Sequence, residues 1–432
     1  MKVLHITYTD AGGAGIAAMR IHKSLRQHGI ESSMLVADKT SQDELVYTAG
    51  TCLTPSFIPP KNKILRKVVK MARKHGHFLS TKERYDRLVE LVPSAHKTFF
   101  TSPLSCYRLD RHPAVLNADI IHLHWVANLV DYPTFFPAVD KPIVWTLHDE
   151  NLAYGGFHYG REREQYYPYY AAIEDFYCQT KQTALAQCGN IHVVALSKMM
   201  KEFYTSQSFL SDRPTTIINN GIDTNIFRPI DRNIGRKVYQ IPEHNYVIVF
   251  CCVKLDDKRK GLAELVEAIG KLQRTDITLL CIGGGRIETD LPIDIRYTGP
   301  ISNPHLLAMT YSCGDLFAFP SYQEAFAQTP LEAIACGLPI VAFPCSGMEE
   351  LVNPGNGVVC SNFTTESLIK GLQEVIGKEY DTDTLHNDIA QRFDSNIVAD
   401  NYIKLYNTIL ASKSNRTIAD TTTIDVPYFD HN

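Results

Sequence analysis

An alternation of short apolar strands with helices occurs twice along this chain and constrains its fold more than any other feature. In the first half, the strands are predicted at 3–8, 33–37, 119–124, 142–146 and 191–195. Between the first two strands lie a glycine-rich stretch and a helical pattern of apolar residues that ends at His28-Gly29. Strands that alternate with helices in this way favour a parallel sheet covered by helices on both faces.

The same alternation begins again after a segment that is typical of a linker. Residues 211–230 mix Pro, Asn, Gly and Asp, which are residues of turns and loops. Beyond them a helix is predicted at 261–272, and strands are predicted at 246–253, 278–282, 316–319 and 340–343. The length of 432 residues also fits two domains. We therefore expect an α/β protein with two doubly wound parallel-sheet domains that face each other across a cleft, where ligands bind at the carboxyl ends of strands.

Composition limits the kinds of binding partner and the cellular compartment that fit this chain. A formal net charge of −4 predicts no general attraction to nucleic acid or to anionic membranes. Eleven cysteines without a CxxC pair indicate reduced, buried thiols. The N-terminus turns polar too early for a signal peptide, and no apolar run is long enough to span a bilayer. We expect a cytoplasmic protein.

One segment departs from this average charge. Residues 61–74 contain seven Lys or Arg and no acidic residue, with apolar residues at helical spacing. The segment fits a solvated helix that covers the first domain. It fits equally a basic amphipathic helix that docks on anionic lipid at the inner face of a membrane.

Two glutamates flank the start of a predicted helix in the second domain. A loop after the strand at 316–319 contains Glu324, and the helix is predicted to run from Thr329 to Cys336 and to include Glu332. Thr329 and Glu332 have the spacing of a capping box, in which Glu332 would have a structural role. Alternatively, both glutamates bind a ligand whose phosphates lie on the helix N-terminus, where free amides favour anions.

Five motifs in this order resemble those of one enzyme family. EAFAQTPLE at 324–332 resembles the Glu-x7-Glu signature of family-four (group 1) retaining glycosyltransferases, which have the GT-B fold of two Rossmann-like domains. The other four motifs lie at 9–18 (TDAGGAGIAA), 145–149 (WTLHD), 219–229 (NNGIDTNIFRP) and 253–261 (VKLDDKRKG). The resemblance therefore extends over most of the chain.

The resemblance implies a function and a set of site residues. The enzyme would move a hexose or similar sugar from a nucleotide diphosphate donor to a glycan or lipid-linked acceptor, with retention and without a metal, in the synthesis of surface polysaccharides. Glu324 and His148 would be the catalytic residues, with Glu324 next to the donor sugar. The donor-binding residues would be Gly13, Lys254, Lys260, Phe326, Ala327, Gln328, Thr329 and Glu332. Among these, Lys254 and Lys260 would hold the diphosphate and Glu332 the ribose.

The resemblance also divides the chain. Residues 1–213 would form the acceptor-side domain and 214–395 the donor domain. A helix at 396–412 would pack back on the first domain, and 413–432 would be a disordered tail. Two departures from the family stand out: Lys254 occupies the place of an arginine, and Ala325-Phe326-Ala327 that of Gly-Phe-Gly. If those glycines need a positive φ, the alanines would strain the loop.

Four other interpretations stay open. The pattern G-x-G-x-x-A at 13–18, with Asp38 about twenty residues further on, matches a dinucleotide-binding fingerprint and would fit an NAD-linked oxidoreductase. A sugar-nucleotide epimerase or a phosphorylase could share the GT-B fold, and the departures could mark an inactive scaffold.

His122 and His124 lie on one face of a predicted strand, but no further ligand is evident, so we expect no metal site.

Overall fold

The computed structural model describes residues 1–50, 63–74, 79–206 and 211–421. It contains two parallel sheets, and this confirms the expected pair of doubly wound domains. The first sheet consists of β1 (Lys2–Thr9), β2 (Glu31–Asp38), β3 (Val46–Thr48), β4 (Ile120–Leu123), β5 (Ile143–Leu147), β6 (Ile191–Ala195) and β7 (Thr215–Ile217). The second consists of β8 (Tyr246–Lys254), β9 (Ile277–Gly284), β10 (Asp294–Gly299), β11 (Leu316–Phe319), β12 (Ile340–Ala342) and β13 (Gly357–Val359).

The strand order of each sheet places a switch point at its centre. The first sheet runs β3-β2-β1-β4-β5-β6-β7 and the second β10-β9-β8-β11-β12-β13. In both sheets the chain winds outward from the first strand in one direction and then in the other. The crevice that this leaves at the carboxyl ends of the central strands is where open parallel sheets bind ligands.

Helices cover both sheets. They are α1 (Gly12–Gln27), α2 (Lys63–Lys74), α3 (Thr81–Glu90), α4 (Pro113–Asn117), α5 (Tyr132–Ala138), α6 (Gly160–Ala186), α7 (Lys198–Ser206), α8 (Arg232–Val238), α9 (Leu262–Lys271), α10 (Pro304–Ser312), α11 (Gln328–Ala335), α12 (Met348–Leu351), α13 (Thr365–Ile376), α14 (Thr382–Phe393) and α15 (Ser395–Thr421). No helix in the described ranges is long and apolar enough to cross a membrane.

The strands are apolar because both of their faces are covered. Strands β4, β5 and β11 are buried at every position, as expected for parallel sheets with helices on both sides. The glycines that the sequence suggested as a loop instead form the first turn of α1, which begins at Gly12.

The chain crosses between the domains twice, and the two crossings lie side by side. The segment 211–230, which was expected to be a linker, contains strand β7, and β7 pairs with β6. The first sheet therefore extends to Ile217, beyond the domain boundary expected between residues 213 and 214. The backbone of Ile222 then exchanges hydrogen bonds with Phe393 and Ser395. The two segments that connect the domains are therefore hydrogen-bonded to each other.

After the second crossing, α15 returns to the first domain. Its buried Tyr402 and Tyr406 pack with Val3 and Ile21 of that domain. The backbone of α15 is described to Thr421, and residues 422–432 of the expected tail lie outside the described residues, as do residues 61–62 of the basic segment.

The cysteines differ in one respect from the expectation. Nine are free, and seven of these are buried. Cys106, however, is disulfide-bonded. The expectation that all thiols are reduced was therefore wrong for Cys106, because the sequence has no signal that separates it from the others.

Candidate functional site

A cleft of about 550 Å³ lies between the carboxyl ends of the two sheets. It brings together nine of the ten residues that the family resemblance had suggested. These are Gly13, His148, Lys254, Lys260, Glu324, Phe326, Ala327, Gln328 and Thr329. The tenth, Glu332, does not line the cleft in this structure and is described below.

A tight turn between β8 and α9 positions the cationic side of the cleft. Gly261 has φ +74°, and a Cβ there would lie 2.0 Å from the carbonyl oxygen of Pro320. The turn is thus pressed against the end of β11, and Tyr322 donates its amide to the carbonyl of Arg259. This contact holds Arg259 and Lys260 beside the loop that contains Glu324.

Glu324 is a carboxylate that lies between two cations and is 11% exposed. It accepts hydrogen bonds from Lys260 Nζ and from Ser321 Oγ, the latter at 2.7 Å, and Arg259 Nη1 lies 3.7 Å away. Burial alone would raise the pKa of Glu324, but the charges of Lys260 and Arg259 outweigh burial and lower it. The lowered pKa favours the ionised form of Glu324, next to cations that a phosphate could share.

The helix after this loop presents an uncapped N-terminus to the cleft. The N-cap of α11 is Ala327, and no side chain caps the helix, so the amides of its first turn are left without intrahelical acceptors. The suggested capping box of Thr329 and Glu332 is therefore wrong: the helix begins one residue earlier, at Gln328. An uncapped helix N-terminus is suited to bind an anion.

The alanines that replace the family's glycines fit this loop without backbone strain. Ala327 has φ −72°. In the described ranges, the non-glycine residues with positive φ are Asn128, Gln240 and Gln273. The loop is also fastened, because Asn220 Nδ2 donates to the Phe326 carbonyl and Ser346 Oγ to that of Ala325. The alanines therefore give no backbone reason to regard the site as inactive.

Glu332 pairs across the domain boundary instead of facing the cleft. Arg20 of α1 donates to Glu332 Oε1 at 2.6 Å and also to the side-chain carbonyl of Gln328. Tyr311 donates to the other oxygen of Glu332 at 3.1 Å. An arginine of the first domain thus pairs with the carboxylate that was expected to hold the ribose.

Two neighbouring glycines of α1 have different roles. A Cβ on Gly15 would lie 2.4 Å from the Thr9 carbonyl oxygen, so α1 packs against the end of β1 at this point. A Cβ on Gly13 would meet nothing within 4 Å, and Gly13 lines the cleft. Gly15 is therefore needed by the fold, whereas Gly13 leaves room for a ligand.

Gly15→Ala is expected to destabilise the first domain, whereas Gly13→Ala should leave its stability unchanged and weaken binding of a nucleotide diphosphate. Alanine at 15 must displace backbone atoms, which costs about 1–3 kcal/mol or more. Urea unfolding and nucleotide titrations of both variants test this. Equal stability of the two variants would contradict the assignment.

His148 follows β5 and ends a line of buried imidazoles. His124 Nδ1 lies 3.1 Å from His148 Nε2, and His124 Nε2 lies 2.9 Å from His5 Nδ1. Burial lowers the pKa of His148 to about 4 and those of His124 and His5 well below their usual value. The line is therefore made of neutral rings, and it fixes the orientation of His148 in the cleft.

His5, His122 and His124 also form a compact cluster, with ring nitrogens within 4.8 Å of one another. The sequence analysis had placed His122 and His124 together, but it had not predicted that His5 lies beside them. Both nitrogens of His122 are hydrogen-bonded, to Thr146 and to Tyr406, and those of His124 to His5 and His148. A metal would have to displace these bonds, so the geometry favours a hydrogen-bonded core.

Opposite the cationic wall, Asp149 organises the first domain's side of the cleft. Its Oδ2 accepts from Trp125 Nε1 at 2.7 Å and lies 2.6 Å from His158 Nδ1. Burial would raise the pKa of Asp149, but His158 and the hydrogen bonds lower it. Asp149 is thus an ionised carboxylate that holds two rings in place.

Sequence reasoning missed Arg20, Arg259, Trp125 and His158. Arg259 adjoins Lys260 in the motif at 253–261, and Trp125 directly follows His124, so both stood next to predicted site residues. Arg20 gave no local signal, because its partner Glu332 lies 312 residues away.

Comparisons with known proteins agree with this geometry. A model of Glycosyltransferase Family 4 matches residues 11–226, and a model of group 1 glycosyl transferases matches residues 245–378. A capsular polysaccharide biosynthesis glycosyltransferase, CapM of Staphylococcus aureus, is 22% identical over 236 residues, which are 50% of this chain and 62% of the relative. A D-inositol 3-phosphate glycosyltransferase of Thermobispora bispora is 27% identical over 180 residues, 37% of this chain and 42% of the relative. The matches thus span about half the length of these relatives.

Solved structures share the whole fold. Sucrose-phosphate synthase of Thermosynechococcus elongatus superimposes with a TM-score of 0.62 at 16% identity, over 95% of this chain and all of the other. HepE of Anabaena, solved in complex with UDP and glucose, gives 0.61 at 18% identity, over 94% of this chain and 99% of the other. At these identities the likeness establishes the GT-B fold.

Proposed function

Because this chain belongs to glycosyltransferase family 4, we propose that it transfers a sugar from a nucleotide diphosphate donor to a glycan or lipid-linked acceptor, with retention of the anomeric configuration. The observation that carries the proposal is Glu324, an ionised carboxylate held by Lys260 and Arg259 beside the uncapped start of α11. CapM, named for capsular polysaccharide biosynthesis, supports a role in surface polysaccharides. HepE, solved with UDP-glucose, supports a nucleotide sugar as donor.

The cationic wall would stabilise the leaving group. As the bond between the sugar carbon and the phosphate oxygen breaks, negative charge gathers on the diphosphate. Lys254, Arg259 and Lys260 line the cleft where the amides of α11 are free, and preorganised charges of this kind lower the barrier where charge develops. We propose that these groups suffice without a divalent ion.

Glu324 would stabilise the sugar cation, and the leaving phosphate would accept the proton of the acceptor. The Glu324 carboxylate would stabilise the positive charge on the sugar ring as the glycosidic bond breaks. The acceptor oxygen would bond to the same face of the carbon that the phosphate leaves, and its proton would pass to the departing phosphate oxygen. The neutral His148 would contact the sugar.

A thermal-shift screen of nucleotide sugars, beginning with UDP-glucose, tests the proposal. A true donor should raise the melting temperature in proportion to the logarithm of its concentration above Kd, and the protein should then release nucleoside diphosphate from it. Turnover should persist in EDTA. Absence of both stabilisation and release with every common nucleotide sugar would contradict the proposed function, and loss of turnover in EDTA would contradict metal independence.

Arg20→Ala is expected to tighten nucleoside diphosphate binding, by roughly three- to tenfold. Glu332 is 6% exposed. In the unchanged protein the ribose hydroxyls must displace Arg20 before they can bond to Glu332, and in Arg20→Ala this cost is absent. Calorimetric titration with UDP and other nucleoside diphosphates measures the change. Arg26→Ala, on the exposed side of the same helix, serves as the control. Weaker binding in Arg20→Ala alone would instead assign Arg20 to the binding site.

We further propose that α2 docks on anionic lipid. Leu65, Val68 and Met71 are at least half exposed, and Arg66, Lys67 and Lys70 are exposed on the same helix. The protein should float with vesicles that contain phosphatidylglycerol and not with phosphatidylcholine alone. Lys67→Glu with Lys70→Glu should abolish flotation, whereas Lys404→Glu on α15 should not. Equal, negligible binding to both vesicles would contradict the proposal.

A further inference from the structure

Three aromatic rings form a stack on the first domain's wall of the cleft. The Phe99 ring lies 4.7 Å from the His158 ring and 5.9 Å from the Trp125 ring, at angles of 36° and 17°. His158 and Trp125 are in turn stacked at 5.4 Å. Phe99 is 58% exposed, whereas His158 is 2% exposed. The stack therefore has a rigid inner part and one open face, the ring of Phe99.

The inner part of the stack is fixed by polar contacts. Asp149 holds both Trp125 and His158, and Thr101 Oγ1 lies 3.0 Å from the second nitrogen of His158. A large apolar ring that stays open in a cleft, over a fully bonded support, is typical of a ligand contact and not of core packing.

The platform lies close to the reacting groups of the second domain. Tyr159 directly follows His158, and the guanidinium of Arg259 lies 5.0 Å from its ring centre. Arg259 is in turn 3.7 Å from Glu324. A molecule on Phe99 would thus lie in the same cleft as the carboxylate proposed to act on the donor, and Tyr159 and Arg259 connect the two places.

The charges of the two walls differ. Among the described cleft-lining residues, the cationic side chains are Lys254, Arg259 and Lys260, all in the second domain. The wall around Phe99 contains the ionised Asp149 and no lysine or arginine among its described lining residues. This wall therefore offers an anionic ligand no lysine or arginine of its own, and it is suited to a neutral ligand with apolar C–H groups on one face and hydroxyls at its edge.

We propose that the Phe99 platform is the acceptor subsite and that it binds an uncharged pyranose ring, stacked on Phe99 through its C–H face. This inference rests on the proposed transferase function, which it deepens by naming the chemical class of the acceptor. A phosphate-bearing acceptor group would face Asp149 and be disfavoured.

Saturation-transfer NMR titrations with methyl α- and β-D-glucopyranoside, galactopyranoside and mannopyranoside test the platform. At least one glycoside should bind more tightly than glucose 6-phosphate. The saturation transfer should be concentrated on the ring protons of one face of that glycoside. Phe99→Ala should weaken this binding roughly five- to tenfold, the effect of losing one packed ring, whereas Phe99→Tyr should retain it. Tyr169→Ala removes another exposed aromatic ring, which is 44% exposed and lies outside the cleft lining, and should have no effect.

Donor turnover separates the two proposals. Phe99→Ala should raise the KM for the glycoside by a larger factor than the KM for the donor. Glycoside binding that Phe99→Ala leaves unchanged, or stronger binding of glucose 6-phosphate, would overturn the inference. If glycoside binding depends on Phe99 but no nucleotide sugar is turned over, the result supports a pyranose-binding site at Phe99 and contradicts the proposed transferase function.

Discussion

Glu324→Gln is expected to lower kcat for sugar transfer at least about 100-fold, the scale seen when one preorganised group that stabilises a developing charge is removed. Glutamine keeps the size of the side chain and can still accept hydrogen bonds from Lys260 and Ser321, so the loop should keep its shape. It cannot stabilise a positively charged sugar ring. The loss should therefore appear in kcat.

Binding of nucleoside diphosphate separates this effect from damage to the site. Glu324 pairs with Lys260, a cation that is proposed to hold the diphosphate, so Glu324→Gln should bind UDP or the cognate nucleotide at least as tightly as the unchanged protein. Glu349→Gln, an exposed glutamate outside the cleft lining, is the matched control. A variant with normal kcat would remove Glu324 from the mechanism, and one with lost nucleotide binding would make it a structural residue.

The second large effect expected is a steep loss of stability of the first domain below pH 6.5. Burial lowers the pKa values of His22 and His148 to about 4, and those of His5, His122 and His124 well below the usual value. Between pH 6.5 and 4 the unfolded chain therefore binds more protons at these residues than the folded chain. Stability is full above pH 6.5 and falls as the pH is lowered, by about 2 kcal/mol at pH 5 for each histidine with a folded pKa near 4.

Tryptophan fluorescence follows this domain alone, because both tryptophans of the chain, Trp125 and Trp145, lie in it. The urea midpoint should fall markedly from pH 7.5 to pH 5. His22→Gln can keep the contact to Ser32 and should remove about 2 kcal/mol of the pH dependence. Midpoints that are equal at the two pH values would show that these histidines are not held neutral by the fold.

The central strands could be predicted from sequence because a parallel strand covered on both faces is a continuous apolar run. The strands predicted at 191–195 and 316–319 have the same bounds in the structure. The short outer strands β3, β7, β10 and β13 were not predicted. They have three to six residues each and less burial, so their sequences differ little from loops.

The candidate site was predictable where its residues share a local motif, as from Glu324 to Thr329. It was not predictable where contacts join distant parts of the chain. Arg20 meets Glu332, and His5 meets His124 119 residues further on, and neither pairing leaves a pattern in a single sequence. The capping box failed for a related reason, since the Arg20 pair takes the carboxylate that the local pattern assigned to the helix.

The most direct measurement of the central claim is turnover of the donor found in the thermal-shift screen, with a bound pyranoside as acceptor. Nucleoside diphosphate release and the anomeric configuration of the product by NMR are recorded for the unchanged protein and for Glu324→Gln. We predict one nucleoside diphosphate per new glycosidic bond, a product with the configuration of the donor, and a loss of at least about 100-fold in the variant. An inverted product, or transfer that Glu324→Gln leaves undiminished, would contradict the account.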